Sequence, residues 1–393
     1  MKESISLSML HVNILLSSAL LGIAGDLKLV YTSAIMKELI HTQQELSELI
    51  GCPGREQSVR RYIHNSIDPY VDTLQEDAAG NLIAVKYGRN EKSDVVLLDA
   101  HMDEVGFMVN HLEGDGLLRV SALGGIDPSL LPGATVQFNV NSENGNTGRI
   151  TGVFSSIPPH VKNSLGSNGG PLKTEALTID VGAASEAELR ELGIDIGSTG
   201  TFFTPFQRLG ENSLMGKAFD NRSGCNLLLQ TAYRITENPI DTTVVFLFST
   251  AEEHNQLGAG SIQLPLKPAA ALVLENTTAT DTAGTPTHFK VAELGKGPAL
   301  TLADTKYVVP ERIVNSLKAC AERHAIPWQY KKPVYGGTNA ATISTGGAGI
   351  PTGILSVPCR YIHSPAGVLR ITDMEHTANL LYYYLHDFPQ NFA

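Results

Sequence analysis

The chain lacks the cysteine spacing of a thiolate metal site. Its four cysteines, Cys52, Cys225, Cys320 and Cys359, are scattered with no C-x-x-C pair, which argues against a cysteine-ligated zinc module and suits a reduced compartment. Positive charge is also scarce. Lys and Arg number 29 against 40 Asp and Glu, a formal charge of −11. With no basic run, the electrostatic footprint that phosphate-backbone binding needs is missing, so nucleic acid is not an expected partner. Tandem repeats and low-complexity tracts are absent. One apolar run stands out, residues 8–24 (SMLHVNILLSSALLGIA), but it is short for a membrane span and the preceding MKESIS has no clear positive region. Residues 1–35 therefore read either as a signal-like or anchoring segment or as a dispensable extension ahead of a start at Met36. No membrane partner is expected. A cytoplasmic location is, with a signal peptide at 1–25 as the alternative.

What is present is the composition of an ordinary globular protein, 42% hydrophobic and 18% charged. At 393 residues the chain exceeds the size at which one core stops growing, so at least two domains are expected. From Met36, MKELIHTQQELSELIG has helical spacing closed by Gly51 and Pro53, and residues 54–66 read as a second helix. DVVLLDA (94–100) is a near-continuous apolar run, the pattern of a strand buried on both faces. Residues 107–212 change to short alternating segments broken by Gly, Asn, Pro and Ser, the signature of a small β-rich barrel or sandwich. From Met215 onward, helices and buried strands alternate again. The simplest architecture is α/β: a mixed sheet flanked by helices, built from 36–106 and 213–393, with a β-rich module inserted at 107–212.

Ionisable residues gather where the predicted strands end. His101, Asp103 and Glu104 follow strand 94–100; Glu252 and Glu253 follow strand 242–250; Glu275 lies near the end of strand 270–276; His363 follows strand 352–358. Open α/β sheets bind ligands at the carboxyl ends of their strands, so residues far apart in sequence can converge there. Two imidazoles and several carboxylates without thiolate suit zinc, cobalt or manganese in an open site. Two ions need a bridging carboxylate, and Asp220, at a helix start with a short side chain, is the candidate. Taken singly, Asp220 reads equally as a helix N-cap, Glu252 and Glu253 as a solvated surface pair, and His101, Glu275 and His363 as unremarkable residues. An Asp two positions beyond His101 can fix the tautomer of a metal histidine. Of two adjacent glutamates, one can bind metal while the other serves as general base.

At these positions the chain resembles the M42 family of metallo-aminopeptidases, the glutamyl and tetrahedral aminopeptidase group, some of whose members carry cellulase or endoglucanase labels. The matching stretches are DAAGNLIA (77–84), LLDAHMDEVGFMV (97–109), GVFSSIPPH (152–160), LTIDVGAAS (177–185), MGKAFDNRSGC (215–225), STAEEHNQLGAG (249–260), YGGTNAATI (335–343) and VPCRYIHSP (357–365). The resemblance implies a catalytic α/β domain with an inserted dimerisation domain, and homo-oligomers from a dimer up to a dodecamer. It implies two divalent cations per subunit, zinc first, with cobalt or manganese as alternatives. His101, Asp220 and Glu275 would hold one ion, and Asp220, Glu253 and His363 the other, with Glu252 as general base and Asp103 orienting His101. The implied activity is release of N-terminal residues from peptides. A metal-dependent deacylase of N-acyl amino acids or peptides is the alternative, and a glycoside hydrolase a more distant one.

Three positions depart from the family pattern. Glu275 stands where Asp is usual, Asn339 replaces the Asp of G-G-T-D-A, and His254-Asn255-Gln256-Leu257 replaces V-G-L-R. His160, after Pro158-Pro159, reads as a surface-loop histidine or as a residue reaching a site in its own or a neighbouring subunit.

Overall fold

The structure is a computed structural model that describes residues 24–90, 92–141, 147–156, 172–332 and 334–388. The signal-like run up to residue 23 and His160 lie outside the described residues. By compactness the chain divides into Met1–Thr42 and Gln43–Ala393. Helix α1, Ala24–Glu48, begins well before Met36. No described helix is long and apolar enough to cross a membrane.

Among the described residues, the second unit contains an 11-stranded mixed sheet and a closed barrel of 6 strands. The chain enters through α2 (Gln57–Ile67) and lays down β1 (Thr73–Glu76), β2 (Leu82–Lys86) and β3 (Val95–His101). Then come the barrel strands β4 (Gly106–Leu112), β5 (Leu117–Leu123), β6 (Thr135–Asn141), β7 (Thr147–Phe154), β8 (Ile179–Asp180) and β9 (Thr199–Phe202), with α3 (Glu186–Glu191) before the last. The sheet resumes with β10 (Gln207–Leu209), β11 (Ser213–Gly216), α4 (Phe219–Glu237), β12 (Thr243–Ser249), α5 (Leu257–Ser261) and β13 (Ala270–Thr278). Last are β14 (Ala299–Thr301), α6 (Glu311–Arg323), β15 (Gln329–Lys331), α7 (Ala340–Ser344), β16 (Thr352–Arg360), β17 (Gly367–Arg370) and α8 (Ile371–His386).

The sheet centre is parallel, β12 beside β3 beside β13 beside β16, and these are the four apolar runs expected to be buried. All seven residues of β12 are buried, which is what a strand covered on both faces requires. Alternation along β3 sorts the two faces. Ala100 faces α4, so closely that a Cβ on Gly224 would lie 3.0 Å from the Ala100 Cβ. Its neighbours Asp99 and His101 turn the other way, where Asn339 at the start of α7 meets Asp99. The barrel has its own core, with Phe107 edge-on to Phe154 and Phe202 at ring separations of 4.9 and 5.3 Å.

Candidate metal centre

Each predicted site residue sits at or near the carboxyl end of a central strand or at the start of α4. His101 is the last residue of β3 rather than the first beyond it, Glu252 and Glu253 follow β12, and His363 lies three residues beyond the end of β16. Glu275 is inside β13, which continues to Thr278. Asp220 opens α4 with a non-helical backbone (φ −80°, ψ 108°), and the Asp220–Asn221 peptide bond is cis. The neighbour Asn221 does the capping: its Oδ1 accepts the Gly224 N–H at 3.1 Å and its Nδ2 donates to the Leu274 carbonyl at 2.7 Å. Because Asn221 caps the helix, the Asp220 carboxylate is left to the site.

That carboxylate stands between the two histidines. Its Oδ1 is 3.3 Å from His101 Nε2 and its Oδ2 is 3.5 Å from His363 Nε2. Glu275 Oε2 lies 3.6 Å from His101 Nε2, and Glu253 Oε1 lies 2.9 Å from His363 Nε2. Both imidazoles are held from behind by backbone carbonyls, His101 Nδ1 by Asp103 O at 3.1 Å and His363 Nδ1 by Gly125 O at 2.8 Å. That fixes Nδ1 as the protonated nitrogen of each neutral ring and turns Nε2 toward the carboxylates, the support a metal-binding histidine needs. Asp103 contacts more than His101. Its Oδ1 is 3.3 Å from His101 Nδ1, but both its oxygens also accept backbone N–H groups, from Glu252 at 3.0 Å and Glu253 at 2.9 Å.

The electrostatics follow from packing carboxylates and imidazoles together away from water. Burial alone would depress His363, but Asp220 and Glu253 outweigh it and push the imidazolium up to about 11. His101 is treated the same way: burial opposes, Glu275, Asp103 and Asp220 prevail, and it rises well above the usual histidine range. Asp220, although buried, is held well below the usual carboxylate range by His101 and His363. Burial pushes Glu275 up to about 7 and raises Glu252 and Glu253 as well.

These residues fit a divalent cation. Ligand atoms of His101, Asp220 and Glu253 all lie within 4.8 Å of one another. Asp220 Oδ1 is buried and makes no hydrogen bond, although His101 Nε2 is 3.3 Å away, so it is an orphaned oxygen of the kind a cation would satisfy. A second grouping, Cys320, His324 and Asp387, has a simpler explanation. Arg323, His324 and His386 already contact the Asp387 carboxylate at 2.7 to 2.9 Å, and it reads as an ion-pair cluster.

Several residues support the site through contacts that no sequence spacing indicates. Gln256 Nε2 donates to Glu252 Oε1 at 3.2 Å, and its own Oε1 accepts from Thr342 at 3.3 Å. Arg222, fully buried, donates to the carbonyls of Met102 and Leu46 at 2.7 Å and to Glu104 at 3.1 Å. Lys217 also bonds Glu104, at 2.7 and 2.8 Å. Burial pulls Lys217 down while Glu104 pulls it up, and it settles at about 8. This cluster anchors the chain leading to Asp220, which passes through left-handed Ala218 (φ 55°).

Comparison with known proteins bears on what this site belongs to. The model of the family described as M42 glutamyl aminopeptidase matches residues 80–380. The lysyl aminopeptidase of Pyrococcus furiosus is 29% identical over 339 residues, 86% of this chain and 94% of its own. The solved aminopeptidase APDkam598 of the archaeon Desulfurococcus kamchatkensis superposes with a TM-score of 0.83 at 29% identity, covering 90% of this chain and 95% of its own. The TET1 peptidase of Pyrococcus horikoshii, which can assemble into a tetrahedron or a large octahedral shell, superposes with a TM-score of 0.77 at 28% identity, covering 89% and 99%. With a family model spanning most of its length and relatives aligned nearly end to end, the chain belongs to the M42 aminopeptidase family.

Proposed function

We propose that the chain releases N-terminal residues from peptides with two divalent cations. One would be held by His101, Asp220 and Glu275, the other by Asp220, Glu253 and His363, with Glu252 as general base. The observation that carries this is the Asp220 carboxylate set between two Nε2 atoms whose rings are locked from behind. Nitrogen and carboxylate donors without thiolate favour zinc, with cobalt or manganese as alternatives. When bound, the cations supply Lewis acidity, lowering the pKa of water and polarising the scissile carbonyl.

The chain's own residues do the rest. Glu252, half-buried beside the ligand set, takes the proton from the attacking water and returns it to the departing amine. Gln256 keeps its carboxylate oriented. Asp103 holds the backbone that carries it. The site's carboxylates also give a free α-ammonium group its partner. We further propose a cytoplasmic enzyme that self-assembles through the barrel segment within 107–212, by likeness to the assembling TET1 peptidase.

The test is an aminoacyl-p-nitroanilide panel assayed with metal-stripped protein and with zinc, cobalt or manganese added back. Cleavage of free but not N-acylated substrates, lost on stripping and restored by metal, is expected. Turnover of only the blocked substrates would replace this reading with a deacylase.

A further inference from the structure

The turn that carries Glu252 and Glu253 is held in an unusual way. Four successive backbone N–H groups, Thr250 to Glu253, enter neither helix nor strand bonds. Each is taken by a buried side-chain oxygen: Thr250 by Asn81 Oδ1 at 3.0 Å, Ala251 by Glu56 Oε1 at 3.0 Å, Glu252 and Glu253 by the two oxygens of Asp103. The acceptors come from before α2, from the turn ahead of β2 and from the end of β3. Ala251 is left-handed (φ 51°), a conformation an alanine keeps only where its surroundings impose it.

Glu56 and Asn81 are 1% and 0% exposed. Asn81 ties the start of the turn to α5, since its Nδ2 also donates to the Gly258 carbonyl at 3.0 Å, and to Asp77 at 2.8 Å. Glu56 is held by backbone groups, taking Gly54 N–H at 2.7 Å with the oxygen that takes Ala251. Burying a carboxylate is costly unless its hydrogen bonds are satisfied. Here those bonds are spent on the backbone next to Glu252.

We propose that Glu56 and Asn81 are positioning residues for the reaction: they fix the Thr250–Glu253 backbone so that Glu252 reaches the water and Glu253 reaches the metal side of the site. This rests on the aminopeptidase reading for its kinetic consequence but not for its structural one. A displacement of about 1 Å at a catalytic group can lower turnover about a hundredfold, so holding the turn matters more to kcat than to substrate binding.

The experiment compares wild type, Glu56→Ala and Glu56→Gln by steady-state kinetics, metal analysis and hydrogen exchange of single amides. In wild type, the four amides should exchange about as slowly as those of the central strands. Glu56→Ala should lower kcat by about 10- to 100-fold with KM and metal content within about threefold of wild type. It should also speed exchange at residues 250–253 without changing β16. Glu56→Gln, which keeps an Oε acceptor, should restore kcat to within about threefold. Rapid loop-like exchange of the four amides in wild type overturns the proposal, and that measurement needs no folded variant. So does a Glu56→Ala enzyme with wild-type kcat, or one losing protection equally across the sheet. Wild type that cleaves no N-terminal residue overturns the aminopeptidase reading alone, because the exchange data still decide how the turn is held.

Discussion

The Asp103 carboxylate accepts the Glu252 backbone N–H at 3.0 Å from 149 positions away in the chain, while its own carbonyl holds His101 Nδ1 at 3.1 Å. One residue thus sets the distance between a proposed metal-binding imidazole and the proposed base. The site is a linked frame, and changes to it should separate chemistry from assembly.

Glu252→Gln keeps the side-chain shape and removes the proton acceptor. Turnover should fall by about 100-fold or more, with metal content unchanged when measured by elemental analysis. A variant with wild-type kcat would remove Glu252 from its role.

The metal-stripped protein should become less stable as pH rises. His363 is pushed up to about 11 and Glu275 up to about 7. Both bind protons more tightly when folded, so the stability they add is complete below their unfolded pKa values and is lost as pH climbs through the folded ones. The affected windows run from about 4.5 to 7 for Glu275 and from about 6.5 to 11 for His363. Thermal melts of stripped protein at rising pH should show a falling midpoint. Metal-loaded protein should lack that slope, and metal uptake at neutral pH should release protons, detectable by calorimetry in buffers of different ionisation enthalpy.

Asn339→Asp, which restores the residue usual in this family, should destabilise the chain. Asn339 Nδ2 donates to Asp99 Oδ2 at 3.0 Å and to Ser249 at 2.9 Å, fully buried. Burial, tempered by Ser249 and Asn339, pushes Asp99 up to about 6. A second carboxylate at that distance must share a proton with it. A loss of about 1–3 kcal/mol is expected by chemical denaturation, larger at pH 8 than at pH 5, because the shared proton is bound in the folded state.

Gln256→Leu should move the acid limb of kcat/KM upward. The Gln256 amide donates to Glu252 and favours its ionised form, so removing it leaves the carboxyl easier to protonate. An unmoved limb would mean the amide does not tune the base.

The sheet was legible in the sequence because its four central strands are covered on both faces and so carry no polar alternation to confuse the reading. His101, Asp220, Glu253, Glu275 and His363 could be gathered because strand ends converge. Glu56, Asn81 and Gln256 could not. Each works by binding a backbone group or a side chain whose position depends on left-handed residues, Ala251 and Gln256 among them, and no spacing rule forecasts where a non-glycine residue will adopt that conformation. Asn221 hid for a different reason: beside Asp220, two residues able to cap a helix sit in line, and only the backbone decides which one does.

The hydrogen bond from His363 to Gly125 O has a consequence for chimeric enzymes. Gly125 belongs to the stretch between barrel strands β5 and β6, so the inserted module completes the seating of a catalytic-sheet histidine. Swapping that module between relatives as a cassette, or trimming it to a short linker, would withdraw this anchor even where the sheet itself folds intact. A workable graft must bring a carbonyl to the same place.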